Sequence, residues 1–134
     1  MSYKDIRVAL ESTLNSISSL PDINWENVNF TPRTGQSWIR ARVLPLTRQP
    51  AHRGPSPQMR YTGIYELLVY TPANQSPQEA ENICEVLINN FEATSDIVTD
   101  DVRVSIRSAE REVGITDSPW YYVPVVINWY AYTT

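Results

Sequence analysis

Apolar residues recur at helical spacing from the start of the chain. Ile6, Leu10, Leu14 and Ile17 fall on one face, which predicts a helix from Ser2 to about Ser19. Ser2 with Asp5 three residues on resembles a capping box, although Glu or Gln is the usual partner. Pro21 is expected to end the helix. The stretch from Ile23 to Pro32 has no clear period and reads as irregular or briefly extended, with Trp25, Val28 and Phe30 as anchors.

The period then changes to two. Between Trp38 and Leu44, Ile39, Ala41 and Val43 share one face of a strand and Trp38, Arg40, Arg42 and Leu44 the other. A connection from Pro45 to about Gln58 follows, with four prolines (45, 50, 55, 57), Gly54, Arg48, His52 and Arg53, and no acid. Unstructured connections of this length are uncommon in compact domains. It reads either as a basic arm that orders on a partner or as a solvated hairpin loop. Arg60 to Thr71 predicts a second strand, with Gly63 marking a bulge or a close approach of another segment.

Pro72-Ala73-Asn74-Gln75 reads as a turn, and Ser76-Pro77-Gln78-Glu79 as a helix start. The helix is expected to run to about Ala93, with Ala80, Ile83, Cys84, Leu87, Ile88 and Phe91 as its apolar stripe. Val102 to Ser108 alternates as a strand. Val113 to Pro119 reads as a loop, and Trp120 to Thr133 as a long last strand whose Pro124 argues for an edge or bulged position. Together these elements predict an α+β fold: a mainly antiparallel sheet of at least four strands with two helices packed on one face.

The 134 residues fit one domain. No run approaches the ~18 apolar residues of a membrane span, and the N-terminus lacks the pattern of a secretory signal. Cys84 is the only cysteine, which rules out a disulfide within the chain. Four Trp and eight Tyr suit a core, but also a protein interface. The net charge of -4 hides an asymmetry. Residues 27–65 hold Arg33, Arg40, Arg42, Arg48, Arg53 and Arg60 and no acid, while residues 66–134 hold three arginines against eleven acids. One basic and one acidic pole would suit head-to-tail contact between copies of the chain. A chance distribution over a solvated surface would give the same pattern.

Catalytic signatures are sparse. The lone His52 lies in the basic connection with no ordered nucleophile to serve. Four scattered glycines make no phosphate-cradling loop. Asp96, Asp100 and Asp101 lack a calcium-loop pattern and read as turn residues. Glu79, Glu81 and Glu85 read as a solvated helix face, Glu110 and Glu112 have no evident substrate site beside them, and Cys84 reads as a core thiol. The sequence thus suggests neither an enzyme nor a cofactor or metal. Six arginines interleaved with Trp38 and Tyr61 have the composition of a nucleic-acid surface. The acidic balance and the preference for Arg over Lys favour a protein partner instead.

One stretch carries a wider resemblance. Ile23-Asn24-Trp25-Glu26-Asn27-Val28-Asn29-Phe30-Thr31-Pro32, then Gly35, Trp38-Ile39-Arg40-Ala41-Arg42 and Leu44-Pro45, resembles the opening of the small tail terminator proteins of long-tailed phages. The similarity continues through Arg60-Tyr61-Thr62-Gly63-Ile64-Tyr65, the Pro72 turn and the helix ending at Phe91, covering roughly residues 3–95. Relatives often carry Gly in the turn where this chain has Asn74-Gln75-Ser76-Pro77. The resemblance implies a hexameric ring, without catalytic residues or cofactor, that caps the last ring of a finished tail tube, stops its growth and presents the head-joining surface. The implied partners are copies of itself, the tail tube protein and a head-tail connector protein; the arginine-rich region adds the expectation of transient DNA contact in the lumen, and the hydropathy that of no membrane. The implied location is the neck end of the virion tail, reached through the host cytoplasm. The resemblance transfers no residue-level site; the basic region itself suggests Arg48, His52, Arg53, Arg60, Arg40 and Arg42 for partner contact. A head-tail connector or tail completion protein and, in another class, a nucleic-acid-binding accessory protein are the alternatives.

Overall fold

The computed structural model describes residues 2–99 and 102–132. Helix α1 (Tyr3–Ser16) starts on a full capping box. The Asp5 N–H donates to Ser2 Oγ (3.4 Å), and the Ser2 N–H donates to Asp5 Oδ2 (3.0 Å). Ile6, Ala9, Leu10 and Leu14 are buried. The helix stops well before Pro21. Thr13 and Ser16 turn their hydroxyls onto the carbonyls of Ala9 and Thr13, which competes with the helical ladder. Ile17 is already extended, and Ser19 takes a positive φ of 66°.

Seven strands follow, interrupted by one helix: β1 (Asp22–Asn24), β2 (Trp38–Pro50), β3 (Met59–Pro72), α2 (Gln78–Asn90), β4 (Asp96–Val98), β5 (Arg103–Arg111), β6 (Ile115–Asp117) and β7 (Trp120–Tyr132). The sheet order is β1-β2-β3-β7-β5-β4, with β6 also on β7. Among the described residues only β1 and β2 run parallel. Period-two alternation puts Ile39, Ala41, Val43, Tyr65, Leu67, Val69, Val104, Ile106, Val123, Val125, Ile127 and Trp129 on one face. They form a single cluster there with the apolar stripes of both helices.

The expected α+β arrangement, with two helices packed on one face of a mainly antiparallel sheet, is overturned. The fold is sheet-dominated, 45% strand against 21% helix, and the seven-stranded sheet curls into a half-barrel. The physical cause is strand length. β2, β3 and β7 run 13, 14 and 13 residues, and their twist accumulates until the sheet wraps. Both helices add their apolar stripes to the one core cluster of this sheet. α1 touches β4 and β5 at one edge while its Arg7 pairs with Glu26, beside β2, at the other.

Three further expectations change. The basic connection is mostly strand: β2 continues to Pro50, which pairs with Met59, and only residues 51–58 join the two. The Val43 N–H points away from β3 to Glu26 Oε1 (2.9 Å), so the Pro45 nitrogen, two residues on, points the same way. Ala51 donates across the ribbon to Gln58, so Pro50 also points outward. β1 pairs only with Trp38–Arg40, so neither proline removes a ladder hydrogen bond. β7 lies between β3 and β5 rather than at an edge. The Pro124 carbonyl accepts from the Glu112 N–H (2.9 Å) just past the end of β5, so its nitrogen faces the gap between β5 and β6. Residues 115–117, expected as loop, pair with β7 as β6. Of the expected aspartate turn, Asp96 lies in β4 and ion-pairs with Arg103 (3.8 Å), while Asp100 and Asp101 lie outside the described residues.

Candidate functional site

The β2–β3 ribbon sets the positions of the arginines singled out in the sequence. Arg40 and Arg42 lie opposite Leu68 and Glu66, on the face turned away from the helices. Arg42 is neutralised there by Glu66 at 2.8 Å, and the charge of Arg40 acts on the Tyr70 hydroxyl. A bulge between Pro45 and Thr47 then changes the phase of β2. Arg48 therefore falls opposite Tyr61, on the core side of the ribbon. Its Nε donates to the Tyr61 hydroxyl (2.9 Å), and its guanidinium lies 5.5 Å from that ring's centroid. Arg60 stays on the outer face with its guanidinium 5.5 Å from the centroid of Tyr130.

At the hairpin tip His52 acts as a clip. Its Nε2 accepts from the Gln58 N–H (3.4 Å) and its Nδ1 lies 3.0 Å from the Arg53 carbonyl, so the neutral ring carries its proton on Nδ1. Gly54 at φ 127° turns the chain. Arg53 is exposed. The structure thus gathers Arg48, His52, Arg53 and Arg60 at one end of the sheet and leaves Arg40 and Arg42 apart from them. None of Arg48, Arg53 and Arg60 has an ion-pair partner among the described residues.

The acids of α2 lie elsewhere. Ser37 donates to Glu79 (2.8 Å), which ties the start of α2 to the start of β2, at the other end of the sheet. Glu81 pairs with Arg111 (3.6 Å), and Glu85 is exposed one turn further along. Ser76 Oγ accepts from the Gln78 N–H (3.3 Å), so the serine does help the helix begin, although Pro77 holds the cap position.

Two features escaped the sequence reading. Trp38, Tyr70 and Tyr122 line up across β2, β3 and β7 on the outer face. Trp38 stacks on Tyr70 (4.0 Å between centroids, 6°) and Tyr70 on Tyr122 (5.0 Å), while Trp120 meets Trp38 edge-on and Phe30 tilts against it. Only strand register brings these rings together, so no local pattern could have revealed the row. The second is Glu26, which accepts from Arg7 (2.8 Å) and from the Val43 N–H. Burial raises its carboxyl, but the hydrogen bonds from Arg7 and Val43 and the charges of Arg7 and Arg42 outweigh that and hold it below its ordinary 4.5. Trp25, beside it, is half-buried against the core, and Asn27 takes a positive φ of 61°.

The surface offers little to a small molecule. A groove of about 790 Å³ between α1 and the turn after β1 is lined by Arg7, Glu11, Glu26 and Asn27, without the apolar body of a ligand pocket. Among the described residues no three His, Cys, Asp or Glu side chains gather as metal ligands, and no helix is long and apolar enough to cross a membrane. Cys84 is 1% exposed, and burial pushes its thiol up to about 11.

No curated protein matches the sequence significantly. A solved structure that carries no functional name superposes with a TM-score of 0.76 at 22% identity, covering 100% of this chain and 97% of its own, which shows a shared fold. The family model described as phage tail terminator protein matches residues 5–129, nearly the whole chain. This protein therefore belongs to the phage tail terminator family, structural proteins of phage tail assembly that act in the virion tail.

Proposed function

We propose that this chain forms a ring, most simply a hexamer, on the last ring of a completed tail tube. There it ends tube polymerisation and presents the surface to which the head is joined. The observation that carries the reading is family membership across residues 5–129. The fold is compatible with it. The exposed edge of β2 beyond Arg40 carries outward-pointing Pro45 and Pro50, which deny a further strand its hydrogen bonds. Rings must close through unlike surfaces on each copy, and the hairpin and helix ends of this protomer differ in charge. The mechanism is steric and thermodynamic and requires no catalytic step and no cofactor. One face binds the tube end, and the other lacks what a further tube subunit would bind.

The partners on this reading are copies of the chain, the tail tube protein and a head-tail connector protein, with DNA passing the lumen in the finished virion. Assembly takes place in the host cytoplasm. The partner-facing residues are Arg48, His52, Arg53 and Arg60 at the hairpin end, with exposed Arg40 and the already paired Arg42 as lesser contributors.

The test is to add the purified chain to polymerising tail tube protein and measure tube lengths by electron microscopy. Shorter tubes that carry an extra ring at one end are expected. Tube growth that is unaffected at a molar excess of the chain would overturn the proposal.

A further inference from the structure

Two groups of charges without an ion pair among the described residues stand out, and they lie far apart in the protomer. At the hairpin end Arg48, Arg53 and Arg60 lie within a stretch, residues 46–60, that contains no acid. On α2 the exposed positions include Glu79, Glu81 and Glu85, and the helix carries no basic residue. Arg111 neutralises Glu81, leaving Glu79 and Glu85 without an ion pair among the described residues.

The two groups cannot reach each other within one copy. Glu79 is tied to Ser37, next to Trp38, which pairs with Tyr70 near the far end of β3. From Arg60 to Tyr70 the strand spans on the order of 30 Å at ~3.3 Å per residue, and Glu85, which lines a hollow with Arg111 at the level of Leu67, is still on the order of 20 Å along the strand from Arg60. The Debye length at physiological salt is ~8 Å, so within a protomer these charges do not interact. The ion pairs that do form join near neighbours in the fold, such as Arg7 with Glu26, Arg42 with Glu66 and Arg103 with Asp96.

The hairpin end also has the shape of an inserting element. Pro50 pairs with Met59 and Ala51 bonds to Gln58, so the ribbon stays ordered almost to its tip, and the His52 clip fixes the turn. Leu46, 60% exposed at the bulge two residues before Arg48, offers an apolar contact at this end.

We infer that the hairpin end of one copy, through Arg48 and Arg53 with Arg60 behind them, docks on the acidic face of α2, at Glu79 and Glu85, in the next copy. The contact is heterologous, because each protomer gives its hairpin to one neighbour and its helix to the other. Repetition therefore closes a ring or extends a filament according to the rotation per step. The inference rests on the ring reading and assigns the surfaces that build the ring.

Charge reversal separates the possibilities. Two double variants, Arg48→Glu with Arg53→Glu and Glu79→Arg with Glu85→Arg, are compared with the wild type by light scattering and sedimentation. Circular dichroism confirms that each retains the fold; the single variant Arg53→Glu, at the exposed tip, serves if a double variant fails to fold. Each variant alone is expected to associate on the order of tenfold or more weakly than the wild type, since like charges then face each other. An equimolar mixture should restore assembly, because the reversed hairpin meets the reversed helix in alternating order. A wild-type oligomer whose folded variants assemble unchanged would overturn this interface while leaving the ring intact. A wild type that stays monomeric at every concentration, and on the tube end, would overturn both.

Discussion

The indole of Trp129 lies directly over Gly63. A Cβ built on Gly63 would overlap the six-membered ring of Trp129 and come within 2.7 Å of the Leu44 carbonyl oxygen. Trp129 is 2% exposed and pairs with Gly63 in the β3–β7 ladder. The glycine is therefore needed for the close approach of a large side chain. Its backbone conformation does not demand it, since only Gly35 and Gly54 take a positive φ among the glycines.

Gly63→Ala is accordingly expected to destabilise the fold by about 1–3 kcal/mol, the usual cost of overpacking a core. Denaturant unfolding followed by tryptophan fluorescence would measure it. A change below about 0.5 kcal/mol would mean that the Trp129 ring can move aside freely.

Glu26→Gln tests the link between α1 and β2. The folded carboxyl lies below its ordinary 4.5, so its contribution is present above that value and is lost as pH falls through the lower, folded one. The variant should lose about 1 kcal/mol at pH 7, held to that by a side chain still 32% exposed. The wild-type advantage should disappear in acid. An equal deficit at pH 7 and well below pH 4 would show that the loss is one of packing and not of charge.

Cys84 should be inert in the native state. Burial raises its thiol to about 11, so the thiolate is scarce at neutral pH, and the side chain is 1% exposed. Alkylation by iodoacetamide at pH 7.5 should be slow in the native protein and fast in denaturant. Rapid labelling of folded protein would show that α2 opens from the sheet.

Replacing residues 51–58 with Asn-Gly should leave the fold nearly as stable as the wild type, within about 1 kcal/mol. The ribbon already pairs up to Pro50 and Met59, and 51–56 are exposed. The same variant should assemble poorly, since Arg53 and the His52 clip are gone. Unchanged assembly together with unchanged stability would remove the tip from the interface.

The sequence by itself determined what depends on near neighbours. The Ser2–Asp5 box, the apolar stripe Ile6–Leu10–Leu14 and the alternation of Ile39, Ala41 and Val43 are properties of a few adjacent residues, and each stands in the structure. The family resemblance was readable for a related reason, since the order and spacing of Trp, Asn, Phe, Pro and Arg are themselves sequence. The tertiary structure alone decided the rest. Prolines 45 and 50 read as part of a long connection until β2 proved to run through them with no strand among the described residues beside it there. Pro124 read as an edge signal until β5 proved to stop just short of it. β1, β4 and β6, at three residues each, are too short to show a period. The curl that turned an expected layered fold into a half-barrel comes from twist summed over long strands, which no local window contains. The basic residues were visible as a run in the chain. That Arg48, Arg53 and Arg60 gather at one end of the sheet, while Arg42 is spent on Glu66, follows from register and from one bulge. Those are long-range facts, because pairing partners lie many residues apart and a one-residue shift reverses the face that a side chain presents.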